Sequence, residues 1–132
     1  MTFILLILLV TSKVEGQYID KFDMNTLVIQ FDDASSDIIP TYIPLLYRLA
    51  DTLNKNTSIQ VLIRGHVCCV KRNGLAKKRA KAVAYYLQLF GVDPKRLKIK
   101  GMKNKMPVVF PETSKDDELK NMRVDFIFNP SS

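Results

Sequence analysis

Three side chains that bind soft metal ions or react as thiols lie close together in the sequence: His66, Cys68 and Cys69. A structural zinc site needs four ligands, which usually come from two separated pairs. His66 is the only histidine and the two cysteines are adjacent, so the chain holds no second pair. A catalytic thiol also needs a partner base that removes its proton, and the sequence shows no such arrangement. We therefore predict no metal site, no cofactor and no thiol catalysis here.

Cys68 and Cys69 are also predicted not to bond to each other. Neighbouring cysteines would close a small ring that is strained away from normal disulfide geometry. The sequence therefore predicts no intrachain disulfide framework. If the chain is exported, an unpaired cysteine leaves an intermolecular disulfide as an open alternative.

The chain is basic, with 20 lysines and arginines, 13 acidic residues and a net charge of +7. This balance favours an anionic partner such as nucleic acid, anionic lipid or a cell-wall polymer. Interleaved aromatic residues for base stacking are lacking, which disfavours nucleic acid. Paired carboxylates, a nucleophile triad and a glycine-rich phosphate loop are also lacking, so we predict that the protein is not an enzyme. The local basic run comprises Lys71, Arg72, Lys77, Lys78, Arg79 and Lys81.

Residues 3–10 form an unbroken apolar segment, FILLILLV. A helix of that length rises only about 12 Å, far less than the ~30 Å hydrocarbon core of a membrane. Small residues follow near Gly16, as they do at signal-peptide cleavage points, although no basic residue precedes the apolar run. A buried N-terminal strand is the alternative. We predict a signal peptide over residues 1–16, and therefore export without a transmembrane span.

Strand-like and helix-like segments alternate after a linker over residues 17–26. Apolar or alternating runs predict strands at 27–31, 59–63, 96–102 and 122–128, and helical spacing predicts helices at 75–90 and near 114–119. An earlier helix either is capped by Asp37, with Pro40 in its first turn, or starts at Pro44. This order indicates an α/β fold, a two-layer α/β sandwich with helices packed on a small sheet. We place this single domain at residues 27–128 and a tail at 129–132.

A set of short motifs occurs in the order and at nearly the spacing of a known family. They are Phe31 with Ser36 and Pro40, Gly65-His66, Leu75-Ala76 with Arg79-Ala80, Gly91-Val92-Asp93, Arg96-Leu97, Gly101, Pro107, and Asn121-Met122-Arg123-Val124-Asp125. Together they make residues 27–128 resemble the OmpA-like domain, a peptidoglycan-associated module. The resemblance implies a βαβαβ(α)β order, a mixed four-stranded sheet, a periplasmic, outer-membrane or cell-wall-associated location and binding to the cell wall.

The resemblance also implies a ligand site for the diaminopimelate of the peptidoglycan stem peptide. In the family an aspartate holds the ammonium group of this zwitterion and an arginine holds the carboxylate. A guanidinium can form two parallel charge-assisted hydrogen bonds with a carboxylate. The arginine position is occupied by Arg79, and the site would also include His66 and the loop residue Asn73. The aspartate position is occupied by Cys68, and a neutral thiol carries no charge for an ammonium. The carboxylate half of the site is therefore retained and the ammonium half is lost.

Two functions follow for an exported, non-enzymatic envelope protein. The first is non-covalent association with peptidoglycan through this partly lost site. The second is a structural role, in which a degenerate domain has become a subunit of an envelope or secretion-system outer-membrane complex and no longer binds peptidoglycan. Nucleic-acid binding is a third, weaker hypothesis that a gel shift at low salt tests, because electrostatic binding is strongest there. Without the resemblance, Arg79 reads as an ordinary arginine on a helix surface.

Overall fold

The structure is a computed structural model that describes residues 22–68, 74–103 and 105–130, without the side chains of Lys103 and Pro130. The predicted signal peptide, residues 17–21 of the predicted linker, and the candidate site residue Asn73 lie outside the described residues. Within the predicted linker, Phe22 and Met24 pack against the core beside a short 3-10 turn. In the described part of the chain, no helix has both the length and the apolar character that a membrane span requires.

Four strands and three α-helices alternate along the chain. They are β1 (Ile29–Gln30), α1 (Ile43–Lys55), β2 (Ile59–His66), α2 (Leu75–Leu89), β3 (Leu97–Lys103), α3 (Lys115–Asn121) and β4 (Arg123–Pro130). The strands form one sheet in the order β1-β4-β2-β3, in which β4 is antiparallel to both neighbours and β2 is parallel to β3. The predicted α/β sandwich with a mixed four-stranded sheet is confirmed. The last strand extends into the predicted tail.

The N-terminus of α1 shows which of the two predicted helix starts, the Asp37 cap or Pro44, is correct. Asp37 does not cap the helix, since the N-cap residues are Ile39 for the 3-10 turn and Tyr42 for the regular helix, and neither N-terminus has a side-chain cap. Ile39 is extended, with φ −66° and ψ 127°, because the proline that follows disfavours the helical region for the preceding residue. Pro40 opens only a short 3-10 turn, and the regular helix begins at Ile43 with Pro44 in its first turn. The start near Pro44 is therefore confirmed, and the Asp37 cap is wrong.

The hydrophobic core lies between one face of the sheet and the helices α1 and α2. It is built from buried residues of both layers: Ile29, Leu46, Leu49, Ala50, Leu53, Val61, Ile63, Ala80, Val83, Ala84, Leu87 and Val124. Gly65 lies on this face, where a Cβ would fall 1.7 Å from the carbonyl oxygen of Ala76 in α2. Since alternate residues of a strand point to opposite faces, Arg64 and its register partners Lys100 and Asp125 lie on the other face. We call that second surface the open face.

Candidate functional site

Arg79 is fully buried at the junction of three chain segments. Its Nε donates to the carbonyl oxygen of Ser35 at 2.8 Å, its Nη1 to that of His66 at 3.0 Å, and its Nη2 to that of Asp32 at 3.0 Å. The guanidinium also stacks over the ring of Phe31, with Cζ 5.3 Å from the centroid, which suits a cation–π contact. Arg79 therefore fastens the loop after β1 and the end of β2 to helix α2.

The burial of Arg79 excludes its reading as a surface arginine. The side chain has 0% of its surface exposed, and buried arginines are rare unless their charge and N–H groups have partners. The structure brings Arg79 and His66 together, as the resemblance implied, but through the main-chain oxygen of His66 rather than its ring. In this arrangement the Asp32–Ser35 loop lies against the guanidinium from one side.

Cys68 lies in a bend two residues after β2 and is almost fully buried. It is disulfide-bonded, and only one other cysteine occurs in the sequence. The prediction that the chain lacks an intrachain disulfide is therefore wrong. A disulfide sulfur carries no negative charge.

His66 ends β2 with its ring directed to the open face, where a charged cluster surrounds Asp125. Arg64 forms a two-bonded fork with Asp125, at 2.7 Å from Nε and 3.1 Å from Nη2. Arg123 Nη2 lies 3.4 Å from the same carboxylate. His66 Nε2 lies 3.0 Å from Asp125 Oδ2. One carboxylate thus stands among two arginines and the only histidine.

The sequence reasoning did not identify this cluster as a unit. In the sequence analysis Asp125 appears only as part of the closing motif, and Arg64 follows the predicted strand at residues 59–63 without a role. A signal was present, since both residues alternate with core positions of their strands and so had to face away from the helices. Which strands are neighbours decides whether the two meet, and here β2 and β4 pair Arg64 directly with Asp125.

The surroundings of Asp125 set the acid dependence of its charge. Burial alone raises the pKa of Asp125, but the contacts from His66 and Arg64 outweigh it and lower the pKa from 3.8 to about 2. Since this pKa is depressed in the folded state, the carboxylate stabilises the fold above pH ~4 and loses this contribution as the pH falls through about 2.

We therefore expect the free energy of unfolding to fall by about 2 kcal/mol between pH 4 and pH 2 on account of Asp125 alone. Urea unfolding of the wild type and of Asp125→Asn at several pH values measures this loss of stability. The variant should be less stable at pH 6, because two arginines lose their counter-charge, and should depend less on pH below 4. The control is Asp51→Asn, which removes only an exposed ion pair with Lys55. Equal acid dependence in Asp125→Asn and the wild type would contradict this assignment.

Among the described residues, histidine, cysteine and acidic side chains form no group of three that could hold a metal ion. His66 and Asp125 lie side by side, but the adjoining Arg64 and Arg123 are cations. Positive neighbours oppose the binding of a further cation. The cluster is therefore an ion-pair network of the fold.

Comparison with known proteins agrees with the geometry. A family model of the OmpA family matches residues 30–121. The peptidoglycan-associated lipoprotein of Burkholderia pseudomallei is 24% identical with a TM-score of 0.73, and the match covers 77% of this chain and 89% of that one. The C-terminal domain of Helicobacter pylori MotB is also 24% identical with a TM-score of 0.73, and the match covers 80% of this chain and 86% of that one.

The cell wall anchor of the T6SS from Pseudomonas aeruginosa is 27% identical, with a TM-score of 0.66 and coverage of 80% of each chain. No curated protein matches the chain significantly. The first two structures share the fold at low identity, and the family match covers the segments that hold Arg79, His66 and Cys68.

Proposed function

Because the chain belongs to the OmpA family, we propose that it is an envelope protein that associates non-covalently with peptidoglycan through a partly lost diaminopimelate site. OmpA-family domains are non-enzymatic peptidoglycan-binding domains of the periplasm, associated with the cell wall. The observation that carries the proposal is the position of Arg79. It joins the loop after β1 to the end of β2, which is where the resemblance expects the ligand carboxylate.

Access to Arg79 depends on the loop after β1. The guanidinium is fully buried, and two of its three described acceptors are the carbonyl oxygens of Asp32 and Ser35. A carboxylate accepts stronger hydrogen bonds from a guanidinium than a neutral carbonyl does. A ligand carboxylate would therefore bind by displacing this loop and taking over its hydrogen bonds, at the cost of rearranging residues 32–35.

The ammonium half of the site is expected to be weak. Cys68 is 7% exposed and disulfide-bonded, and it supplies no negative charge. Loss of one charge-assisted hydrogen bond weakens binding by about 1.5–3 kcal/mol, or roughly tenfold to a hundredfold. The native protein should thus bind peptidoglycan more weakly than a variant that regains the carboxylate.

Pull-down with purified sacculi tests the proposal. Wild type is expected to sediment in part with sacculi, and Cys68→Asp should bind about tenfold more tightly because the aspartate pairs with the ammonium. Cys68→Ser is the matched control, since it also removes the disulfide but adds no charge, and it should behave as the wild type. Arg79→Lys should bind less than the wild type, with its folded state checked by circular dichroism.

The outcomes separate the two functions. If the wild type stays in the supernatant and Cys68→Asp sediments, the native protein does not bind peptidoglycan. If wild type and folded Arg79→Lys sediment equally, Arg79 is not the carboxylate partner.

The second candidate is a structural subunit of an envelope or secretion complex that does not bind peptidoglycan. The full burial of Arg79 favours it, since the guanidinium already holds three segments of this chain together. The similar chain at 27% identity is the cell wall anchor of the T6SS from Pseudomonas aeruginosa, which supports a place in such a complex but not the loss of wall binding. If the wild type, Cys68→Ser and Cys68→Asp all stay in the supernatant, the structural role is the remaining candidate.

A further inference from the structure

The loop between β3 and α3 presents apolar side chains to solvent at alternate positions. Met106, Val108 and Phe110 are 46%, 60% and 83% exposed. The intervening Pro107 and Val109 are half-buried. The exposed side chains therefore lie along one edge of the segment. Contiguous exposed apolar patches are a feature of protein and membrane interaction sites.

Asn121, which is almost fully buried, holds the loop in place through hydrogen bonds. Its Oδ1 accepts from the backbone N–H groups of Val108 and Val109, at 2.6 and 3.1 Å. Its Nδ2 donates to the carbonyl oxygen of Val109 and to Glu112 Oε1, both at 2.8 Å. Arg123 Nη2 also donates to the carbonyl oxygen of Met106. The exposed side chains are thus displayed by a fixed backbone, which reduces the entropy lost on binding.

Positive charge lies along the sheet face that adjoins this loop. Lys98 and Lys100 are exposed, and their pairing with Leu62 and Arg64 puts them on the open face. Arg64 Nη1 lies 3.6 Å from Met106 Sδ, so the open face runs directly into the loop. Lys105 adds an exposed lysine within the loop itself. Asp125 is the acidic residue that β4 places on this face, and it is paired with Arg64.

Two carboxylates in α3, the helix that follows the loop, form ion pairs: Asp116 with Lys120 at 3.3 Å and Glu118 with Lys115 at 3.4 Å. Glu112 accepts a hydrogen bond from the neutral amide of Asn121, and Asp117 accepts from Thr113, so these two carboxylates keep negative charge on the α3 side of the loop. The excess of basic residues is therefore confined to the open face, on the other side of the loop.

We propose that the β3–α3 loop and the open face together form a docking surface for an anionic lipid surface. A lipid interface accepts protruding apolar side chains without a matching pocket, and anionic headgroups attract basic residues that lie beside them. A second copy of the chain fits less well, since a stable dimer buries roughly 800 Å² per partner and three side chains supply much less. This inference does not depend on peptidoglycan binding.

A single tryptophan tests the proposal, because the chain contains none. In the full chain, Phe110→Trp should show a blue-shifted emission with phosphatidylcholine vesicles that contain phosphatidylglycerol, and brominated lipid should quench it. The matched control is Tyr85→Trp, which replaces an aromatic residue 62% exposed on α2. It should not respond. A local reporter is needed because the apolar residues 3–10 can attach the chain to any vesicle.

Charge reversal supplies the second arm. Lys98→Glu with Lys100→Glu, introduced beside Phe110→Trp, should weaken the response about tenfold at low salt. The proposal is overturned if Phe110→Trp does not respond, if Tyr85→Trp responds equally, or if neutral vesicles give the same shift. A shift that depends on protein concentration without lipid would show self-association instead. Binding of soluble polyglutamate but not of anionic vesicles would assign the surface to an acidic protein.

Discussion

Arg79→Met is expected to lower the free energy of unfolding by about 3–5 kcal/mol, because three carbonyl oxygens lose the charged donor that they share. Methionine has a similar length, so the change leaves no large cavity. It does leave the carbonyl oxygens of Asp32, Ser35 and His66 without the donors that now satisfy them, and a buried unpaired acceptor costs about 1–3 kcal/mol. Water will reach the Asp32 and Ser35 carbonyls more easily than that of His66, which limits the loss.

Urea denaturation of the variant measures this loss. Arg79→Lys should fall between the wild type and Arg79→Met, because one ammonium cannot reproduce the fork of the guanidinium. Lys78→Ala is the matched control one position earlier on α2, where the side chain is exposed, and it should change stability by less than about 0.5 kcal/mol. A loss below 1 kcal/mol in Arg79→Met would mean that the three segments hold together without this residue.

Gly65→Ala is expected to destabilise the fold by about 3 kcal/mol or more, at the upper end of overpacking effects. The added Cβ would lie 1.7 Å from the carbonyl oxygen of Ala76 and 3.1 Å from the backbone nitrogen of Ala80. Both contacts are with the main chain of α2, so no side-chain rotation relieves them. Helix α2 would have to move away from β2, and the hydrogen bond between Arg79 and the His66 carbonyl would weaken with it.

Gly101→Ala is the matched control for this clash. Its Cβ would lie 3.1 Å from Lys77 N and 3.2 Å from Lys77 Cβ, which a shift of a few tenths of an ångström relieves, so the cost should stay near 1 kcal/mol. Ala76→Gly should not rescue Gly65→Ala, because the clash is with the carbonyl oxygen and not with the methyl group. Thermal and urea unfolding of the wild type, Gly65→Ala, Gly101→Ala and the double variant Gly65→Ala with Ala76→Gly measure these differences in stability. Equal stability of the two glycine variants, or rescue by Ala76→Gly, would contradict the structure.

The order of the elements was predictable because it depends on local periodicity. Apolar residues at every second position predicted the strands, and those at helical spacing predicted α2 to within one residue of its end. Strand β1 is much shorter than the strand predicted at residues 27–31, since only Ile29 and Gln30 pair with β4. A pattern shows which residues prefer an extended backbone, but the length of a strand depends on how much of its neighbour runs beside it.

The sequence by itself determined the fold class, the motifs of the family and the candidate position of Arg79, because these follow from spacing along the chain. Only the tertiary structure decided that Arg79 is buried, since its acceptors lie 13, 44 and 47 residues away in the sequence. The same holds for Arg64 and Asp125, which meet across 61 residues. Burial and ion pairing depend on which distant segments become neighbours, and neither composition nor local periodicity contains that information.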